Sequence, residues 1–266
     1  MKNCVLFASA ISDASKLYAL EELIAPFNGK SSFDFFIGIN PSSYKDTYEC
    51  ILKYITPRRM EFVPNELEID SDASCYQTAL RLLKESNERY DLYWFIHTKG
   101  GHNDRDVDRR LYINELINNS DEIINIFKKF PNLGSYSLRG NKIGDPKIPW
   151  DIYDADHVID ICKNTKHNNF LYSHVNWSYI DTIYVLNGKC VNHFLDICPY
   201  DFYTKKITDR YYFETAPAWI PSRMGFFPYV KNKQCYWQTG NLNDVTEKWI
   251  NYNNLQCEEF DELLKM

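Results

Sequence analysis

Several features that would settle the class of this chain at once are missing from it, and each absence excludes something. No window comes near the ~18 consecutive apolar residues that a membrane-spanning helix requires, although 44% of the 266 residues are apolar. The apolar stretch at residues 4–8 is too short for a secretory core and is broken by Ser9 and Asp13. A soluble, cytoplasmic protein is therefore expected. The eight cysteines (Cys4, Cys50, Cys75, Cys162, Cys190, Cys198, Cys235, Cys257) form no Cys-x-x-Cys pair, which removes the usual zinc and redox readings. Scattered buried thiols in a reducing compartment are the remaining expectation. Lys and Arg number 30 against 36 Asp and Glu, a formal charge of −6, with no long basic stretch. A nucleic-acid binder needs clustered cations to neutralise phosphates, so that class is excluded. No glycine-rich Gly-x-Gly-x-x-Gly turn and no Walker loop occurs, which disfavours dinucleotide oxidoreductases, methyltransferases and P-loop enzymes. No internal repeat or low-complexity linker divides the chain, so one domain over 1–266 is expected. Within it, 1–100 and 101–242 are expected as two halves and 243–266 as a C-terminal amphipathic helix suited to pack on the domain or on a second copy.

Aromatic residues, by contrast, are plentiful: 16%, from Tyr 20, Phe 16 and Trp 6. Large rigid rings with a polar handle build cores, and they also line clefts for flat or sugar-like ligands. Trp177, Tyr179, Tyr211, Tyr212 and Trp219 concentrate in the second half, where rings can stack on sugars.

The first hundred residues alternate between strand and helix patterns. Residues 3–10 are a continuous apolar run of strand length, followed by Ser12-Asp13 as a helix cap and Leu17, Leu20, Leu23 and Ile24 at helical spacing. Residues 33–39 form a second apolar run, stopped by Asn40-Pro41-Ser42-Ser43, a segment also expected to cap the next helix. Residues 60–63 predict a third strand and 74–87 a helix. Residues 91–96 (Asp-Leu-Tyr-Trp-Phe-Ile) predict a fourth strand, apolar on both faces as in a covered sheet. Four strands with three intervening helices predict an α/β fold with a mostly parallel central sheet flanked by helices. Ligands of such sheets bind beyond the carboxyl ends of the strands. That rule singles out residues 9–13, 40–43 and 64–68, and the segment just past Ile96.

Immediately after Ile96 the chain reads His97-Thr98-Lys99-Gly100-Gly101-His102-Asn103-Asp104. An imidazole, a cation and two glycines stand where a nucleotide-binding sheet meets its ligand, with the glycines allowing close backbone approach. Asp70-Ser71-Asp72 reads as a helix cap, while Asp104-Arg105-Asp106 lies just past the glycines within reach of a metal ion. Downstream, residues 133–138 predict a strand, 141–150 a loop over the cleft, and 170–186 a strand-like run containing Trp177.

The string His97-Thr98-Lys99-Gly100 resembles the His-Thr-Lys-Gly signature of GT-A-type glycosyltransferases, similar to rhamnan-synthesis-type polysaccharide enzymes and relatives in large DNA viruses. The family's Trp-Arg pair is matched at Arg109-Arg110 only in its arginine, Arg110. Its Ser-Gly-Asn-Phe-Trp-Trp strand is similar to Ser173-His174-Val175-Asn176-Trp177-Ser178, with His174 in place of glycine. A later glutamate corresponds to Glu214.

The resemblance, which covers roughly residues 3–225, implies a Rossmann-like GT-A domain with 1–100 as its nucleotide-sugar-binding half and 101–242 as its acceptor-side half, and transfer of a hexosyl or deoxyhexosyl group from a nucleoside-diphosphate sugar to a glycan or protein-linked acceptor. Inversion at the anomeric carbon is expected. Where many such enzymes hold a divalent metal with Asp-x-Asp, this chain has His97-x-Lys99. The diphosphate charge then falls to Lys99 and Arg110, with Ser9, Asn40, His97 and Gly100 also expected on the donor. His97, Asp104 and Asp106 are the candidate ligands for Mn²⁺ or Mg²⁺. Glu214 is expected to take the acceptor proton, with Asp181 as its rival, and Trp177 and His174 to contact sugar. The alternative is a catalytically inactive sugar- or nucleotide-binding protein of the same fold, whose fourth strand has lost its carboxylate pair.

Overall fold

A computed structural model describes residues 1–64, 72–101, 105–138, 140–142, 177–179, 182–197, 221 and 226–231. Its strands are β1 (Asn3–Ser9), β2 (Phe33–Ile39), β3 (Arg59–Phe62), β4 (Leu92–His97), β5 (Leu133–Ser137), β6 (Gly140–Lys142), β7 (Trp177–Tyr179), β8 (Tyr184–Asn187) and β9 (Phe227–Val230). The helices are α1 (Leu17–Ile24), α2 (Thr47–Tyr54), α3 (Asp72–Ser86), α4 (Asp106–Tyr112), α5 (Ser120–Lys129) and α6 (Gly188–Ile197). Seven strands form one sheet in the order β3-β2-β1-β4-β8-β5-β9, and β6 pairs with β7 apart from it. Pairings β1–β2, β1–β4, β2–β3 and β5–β9 are parallel, and only β8 runs against its neighbours β4 and β5. The mostly parallel α/β sheet expected from the alternation is thus present.

Period-two alternation assigns the faces. Val5 and Phe7 of β1, Phe35 and Ile37 of β2, and Trp94 and Ile96 of β4 enter one buried cluster with Leu20, Leu23 and Ile24 of α1. The intervening residues Tyr93, Phe95 and His97 look the other way. There Phe95 meets Tyr76 of α3 with ring centroids 5.4 Å apart. Trp94, Tyr93, Tyr76 and Tyr184 are among the largest fully buried side chains, so in this half the aromatic excess fills the core.

Several local expectations are corrected. The serines after β2 do not cap α2: Asn40 Oδ1 accepts from the Ser42 backbone N–H at 2.9 Å and from its hydroxyl at 2.7 Å, closing a turn, and the helix starts later at Thr47. Asp13 does cap as expected, accepting from the Ser15 backbone N–H at 2.8 Å. Residues 170–186 are not one strand. β7 and β8 belong to different sheets, and Thr182 between them has φ 49°, which a β-branched residue adopts only under external constraint. That constraint includes Tyr76, whose hydroxyl donates to the Thr182 carbonyl at 2.8 Å. Asn141 and Lys142 are not loop but part of β6. α6 was not expected. Its signal was Asn187-Gly188: Asn187 Oδ1 accepts from the Lys189 N–H at 3.0 Å, and a Cβ on Gly188 would lie 2.0 Å from the Tyr90 carbonyl oxygen. The segment 243–266 lies outside the described residues.

Charged networks fasten the amino edge and the β3 edge. Lys2 pairs with Glu88, Arg58 with Asp34 at 2.9 Å, and the Tyr90 hydroxyl donates to both Asp34 (3.0 Å) and Glu88 (2.9 Å). Arg81 of α3 reaches Glu61 and Glu85, and Arg59 reaches the same two carboxylates. Hydrogen bonds from Lys2 and Tyr90 hold the Glu88 carboxyl below the ordinary glutamate range; for Glu85 burial works the other way but Arg81 and Arg59 outweigh it. A carboxyl depressed in the folded state stabilises above its unfolded pKa and loses that contribution as pH falls through the folded value. Melting temperature is therefore expected to drop progressively below about pH 5. The drop should be smaller in Glu88→Gln; an identical acid limb in that variant would remove Glu88 as a source.

Candidate functional site

The parallel strands bring the ends of β2, β1 and β4 side by side, and the backbone beyond them is stitched into one edge. The Asn40 N–H donates to the Ser9 carbonyl at 2.8 Å, and the Tyr44 N–H to Ile11 at 2.7 Å. Thr98 joins β4 to β1: its N–H donates to Ala8 O at 3.0 Å, its hydroxyl donates to Ala10 O at 2.9 Å, and the same hydroxyl accepts from the Ala10 N–H at 2.8 Å. The Ser12 N–H and hydroxyl both donate to the Gly101 carbonyl, each at 3.0 Å.

The two glycines of the signature have separate reasons. Gly100 has φ 86°, a conformation costly for any residue with a Cβ. Gly101 lies against the neighbouring strand end, where a Cβ would sit 2.1 Å from the Ala10 carbonyl oxygen. Gly101→Ala is expected to cost more than Gly100→Ala, roughly 1–3 kcal/mol against about 1. Urea denaturation of the two variants checks the order, and a reversed order would contradict the close approach.

His97 ends β4 rather than following it, and is buried at 6% exposure. Its Nδ1 lies 3.1 Å from Oδ2 of Asp72, the first residue of α3. Lys99 is 9% exposed, with its backbone N–H donating to the His97 carbonyl at 2.8 Å. Asn40 is buried in its turn. Ser9 is wholly buried, its hydroxyl having no hydrogen-bond partner among the described residues and its carbonyl taken by Asn40 and the Cys75 thiol. Ser9 thus lies beneath the edge, while Ser12, Asp13 and Ser42 are exposed on it.

The adjacent arginines divide unexpectedly. Arg110 is exposed, whereas Arg109, at the position of the resembled family's tryptophan, is fully buried. Arg109 Nη2 lies 2.7 Å from Glu22 of α1, and Nη1 lies 2.9 Å from Asp106 and 3.4 Å from the Lys99 carbonyl oxygen. The Tyr18 ring packs against the guanidinium at 4.9 Å. Burial opposes the Arg109 charge, and the two carboxylates more than offset it, raising its pKa; Arg109 and the Tyr18 hydroxyl in turn lower that of Asp106.

These partners bear on the candidate metal ligands. Asp106 is taken by Arg109 and Tyr18, and His97 faces Asp72 instead of Asp106, so His97 and Asp106 are not brought onto a common ion. Among the described residues no group of three His, Cys, Asp or Glu side chains is placed to hold a metal. Asp104, His174, Asp181 and Glu214 lie outside the described residues, and Trp177 opens β7 away from the main sheet. The residues that sequence reasoning missed are Asp72, Thr98 and Arg109. Strand alternation carried a signal for the first, since it sets His97 on the α3 face with Tyr93 and Phe95.

No family model matches the chain, and no curated protein matches it. A similar solved structure is core-mannan synthase A (CmsA/Ktr4) of Aspergillus fumigatus in its Mn/GDP form, at 9% identity and a TM-score of 0.36. The match covers 85% of this chain and 70% of that one. So faint a likeness decides nothing about the site.

Proposed function

We propose that the protein is a GT-A-type glycosyltransferase that takes a nucleoside-diphosphate sugar as donor and transfers its sugar, with inversion, to a glycan or protein-linked acceptor. The observation that carries this reading is the placement of Asn40, His97 and Lys99 along one carboxyl edge of parallel strands, where α/β sheets receive nucleotides. In it, Lys99 opposes the diphosphate charge that grows as the sugar departs, and Gly100 leaves the backbone close to the phosphates. Arg110, exposed on α4, adds a second cation. Glu214 takes the acceptor hydroxyl proton, with Asp181 as the other candidate, and Trp177 and His174 meet the sugars.

Calorimetric titration with UDP-, GDP- and dTDP-sugars, followed by product analysis, tests the proposal. Donor binding with transfer or slow donor hydrolysis is expected. Glu214→Gln should keep donor affinity and lower transfer by about 10²–10⁴-fold, as for loss of a general base; full activity would remove Glu214 from that role. A second reading, a non-catalytic sugar- or nucleotide-binding protein, draws on one observation: β4 ends on His97-x-Lys99 instead of a carboxylate pair. Binding without turnover on any acceptor would favour it.

A further inference from the structure

From the exposed rings at the outer end of the carboxyl edge we infer that Tyr48 and Phe62 form a stacking platform for the base of the donor nucleotide. The nucleotide then lies along the edge, with its diphosphate at Lys99 and its base beside β3. This rests on the nucleotide-sugar reading above and adds to it the orientation of the donor.

Phe62 is the last residue of β3 and pairs in register with Ile39, the last residue of β2, so it stands at the level where Asn40 begins its turn. Period-two alternation puts it on the face of Met60, which packs against the core cluster that includes Cys50 and Ile51 of α2. Arg59 and Glu61 turn the other way, to Glu85 and Arg81 of α3. From the other side, the Tyr44 N–H is tied to the Ile11 carbonyl, and four residues on Tyr48 lies in the first turn of α2. The two rings meet there with centroids 6.4 Å apart and planes 18° from parallel. Neither is buried: Tyr48 is 40% exposed, Phe62 50%, and Leu52, one helical turn beyond Tyr48, 48%. Single apolar residues scattered on a surface need no explanation. A stacked pair does, in a chain that buries Trp94, Tyr93, Tyr76 and Tyr184 completely.

Spacing decides which part of the donor reaches these rings. β2 and β1 separate β3 from β4, so the two strand ends lie three interstrand steps, or about 14 Å, apart along the edge. The donor's sugar is bonded directly to the distal phosphate and stays near Lys99. The base has a ribose and a phosphate between it and that end, and spans the larger distance. In between stand Ser42, beyond β2, and Ser12, beyond β1, both exposed. Their hydroxyls donate to Asn40 Oδ1 at 2.7 Å and to the Gly101 carbonyl at 3.0 Å, which leaves oxygen lone pairs to accept from ribose hydroxyls. Every base offers a flat π face, and an aromatic side chain stacks on it whatever its hydrogen-bonding edge.

The affinities of UDP, GDP and dTDP are compared in the native chain, in the alanine pair Tyr48→Ala, Phe62→Ala, and in the ring-keeping pair Tyr48→Phe, Phe62→Tyr. Both side chains lie on the surface, so the variants are expected to fold, which circular dichroism and melting temperature check; Phe62→Ala alone serves if the alanine pair does not. Whichever nucleoside diphosphate binds the native chain is expected to bind the alanine pair about 5–150-fold more weakly, the effect of losing one base stack. The ring-keeping pair should bind it as the native chain does. Stacking involves no ion pair, so the loss should be the same at low and high salt, unlike that of a removed phosphate contact. The matching nucleoside (uridine, guanosine or thymidine) should lose the same factor. Full affinity in the alanine pair, a loss that shrinks with salt, or a loss that the ring-keeping pair does not restore overturns the platform and leaves the nucleotide-sugar reading standing. Unchanged nucleotide affinity together with reduced self-association in sedimentation also overturns it, and assigns the rings to a contact between copies. If none of the three diphosphates binds the native chain, the nucleotide-sugar reading fails and the platform falls with it.

Discussion

The double variant Glu22→Ala, Asp106→Ala is expected to lose about 3–5 kcal/mol of folding free energy, the usual cost of leaving a buried charge without its partners. Arg109 is fully buried and its guanidinium is compensated by those two carboxylates, which are themselves more than a third exposed. Removing the carboxylates leaves the cation, among the described residues, with the Tyr18 ring and the Lys99 carbonyl, neither of which replaces a full negative charge. Removing the cation instead leaves two carboxylates that water can reach, so Arg109→Met should cost less than the double variant. Adding Arg109→Met to the double variant should recover much of the loss, because an apolar side chain in a dry site has no charge to solvate. Urea midpoints for the three variants give the answer. If the triple variant is no more stable than the double, the charge is not the origin of the loss, and packing around Tyr18 is.

Lys99→Ala is expected to weaken binding of UDP, GDP or dTDP, whichever the protein takes, by about 10–100-fold, as for a hydrogen bond to a charged group. Lys99 is held at the edge by what surrounds its backbone: the positive φ of Gly100, the close approach of Gly101 to Ala10, and Arg109 at its carbonyl. The ordered turn is paid for in folding and not again in binding, so the loss should be concentrated in phosphate affinity. The corresponding nucleoside should bind Lys99→Ala and the native chain alike, and the affinity difference should shrink with added salt. Unchanged diphosphate affinity would take Lys99 out of the site.

Much of the first half was legible because its signals are local. β2 spans 33–39, as its apolar run implied, and β1, β3, β4 and α3 fall within two residues of their expected bounds. A buried parallel strand declares itself by a continuous apolar run, and Asp13 declares a cap by its chemistry. The serines at 42–43 misled because Asn40 competes for the same backbone and closes a turn first. The run at 170–186 misled because composition alone cannot show that Tyr76 pins Thr182 in a left-handed turn.

By itself the sequence determined the class of the fold, the strand whose end carries the polar signature, and the demand for glycine after Lys99. These depend on residues near one another in the chain, where periodicity and backbone sterics act directly. Only the tertiary structure decided which arginine is buried, which carboxylate meets His97, and which strand runs against the others. Arg109 and Arg110 are chemically identical. They part because Glu22, 87 residues away, stands on the side of α4 that Arg109 occupies. Asp72 and His97 lie on separate elements, and they meet because Gly38, on a third, lets α3 settle onto the sheet. Pairings of this kind are fixed by packing between distant segments, and no local pattern records them.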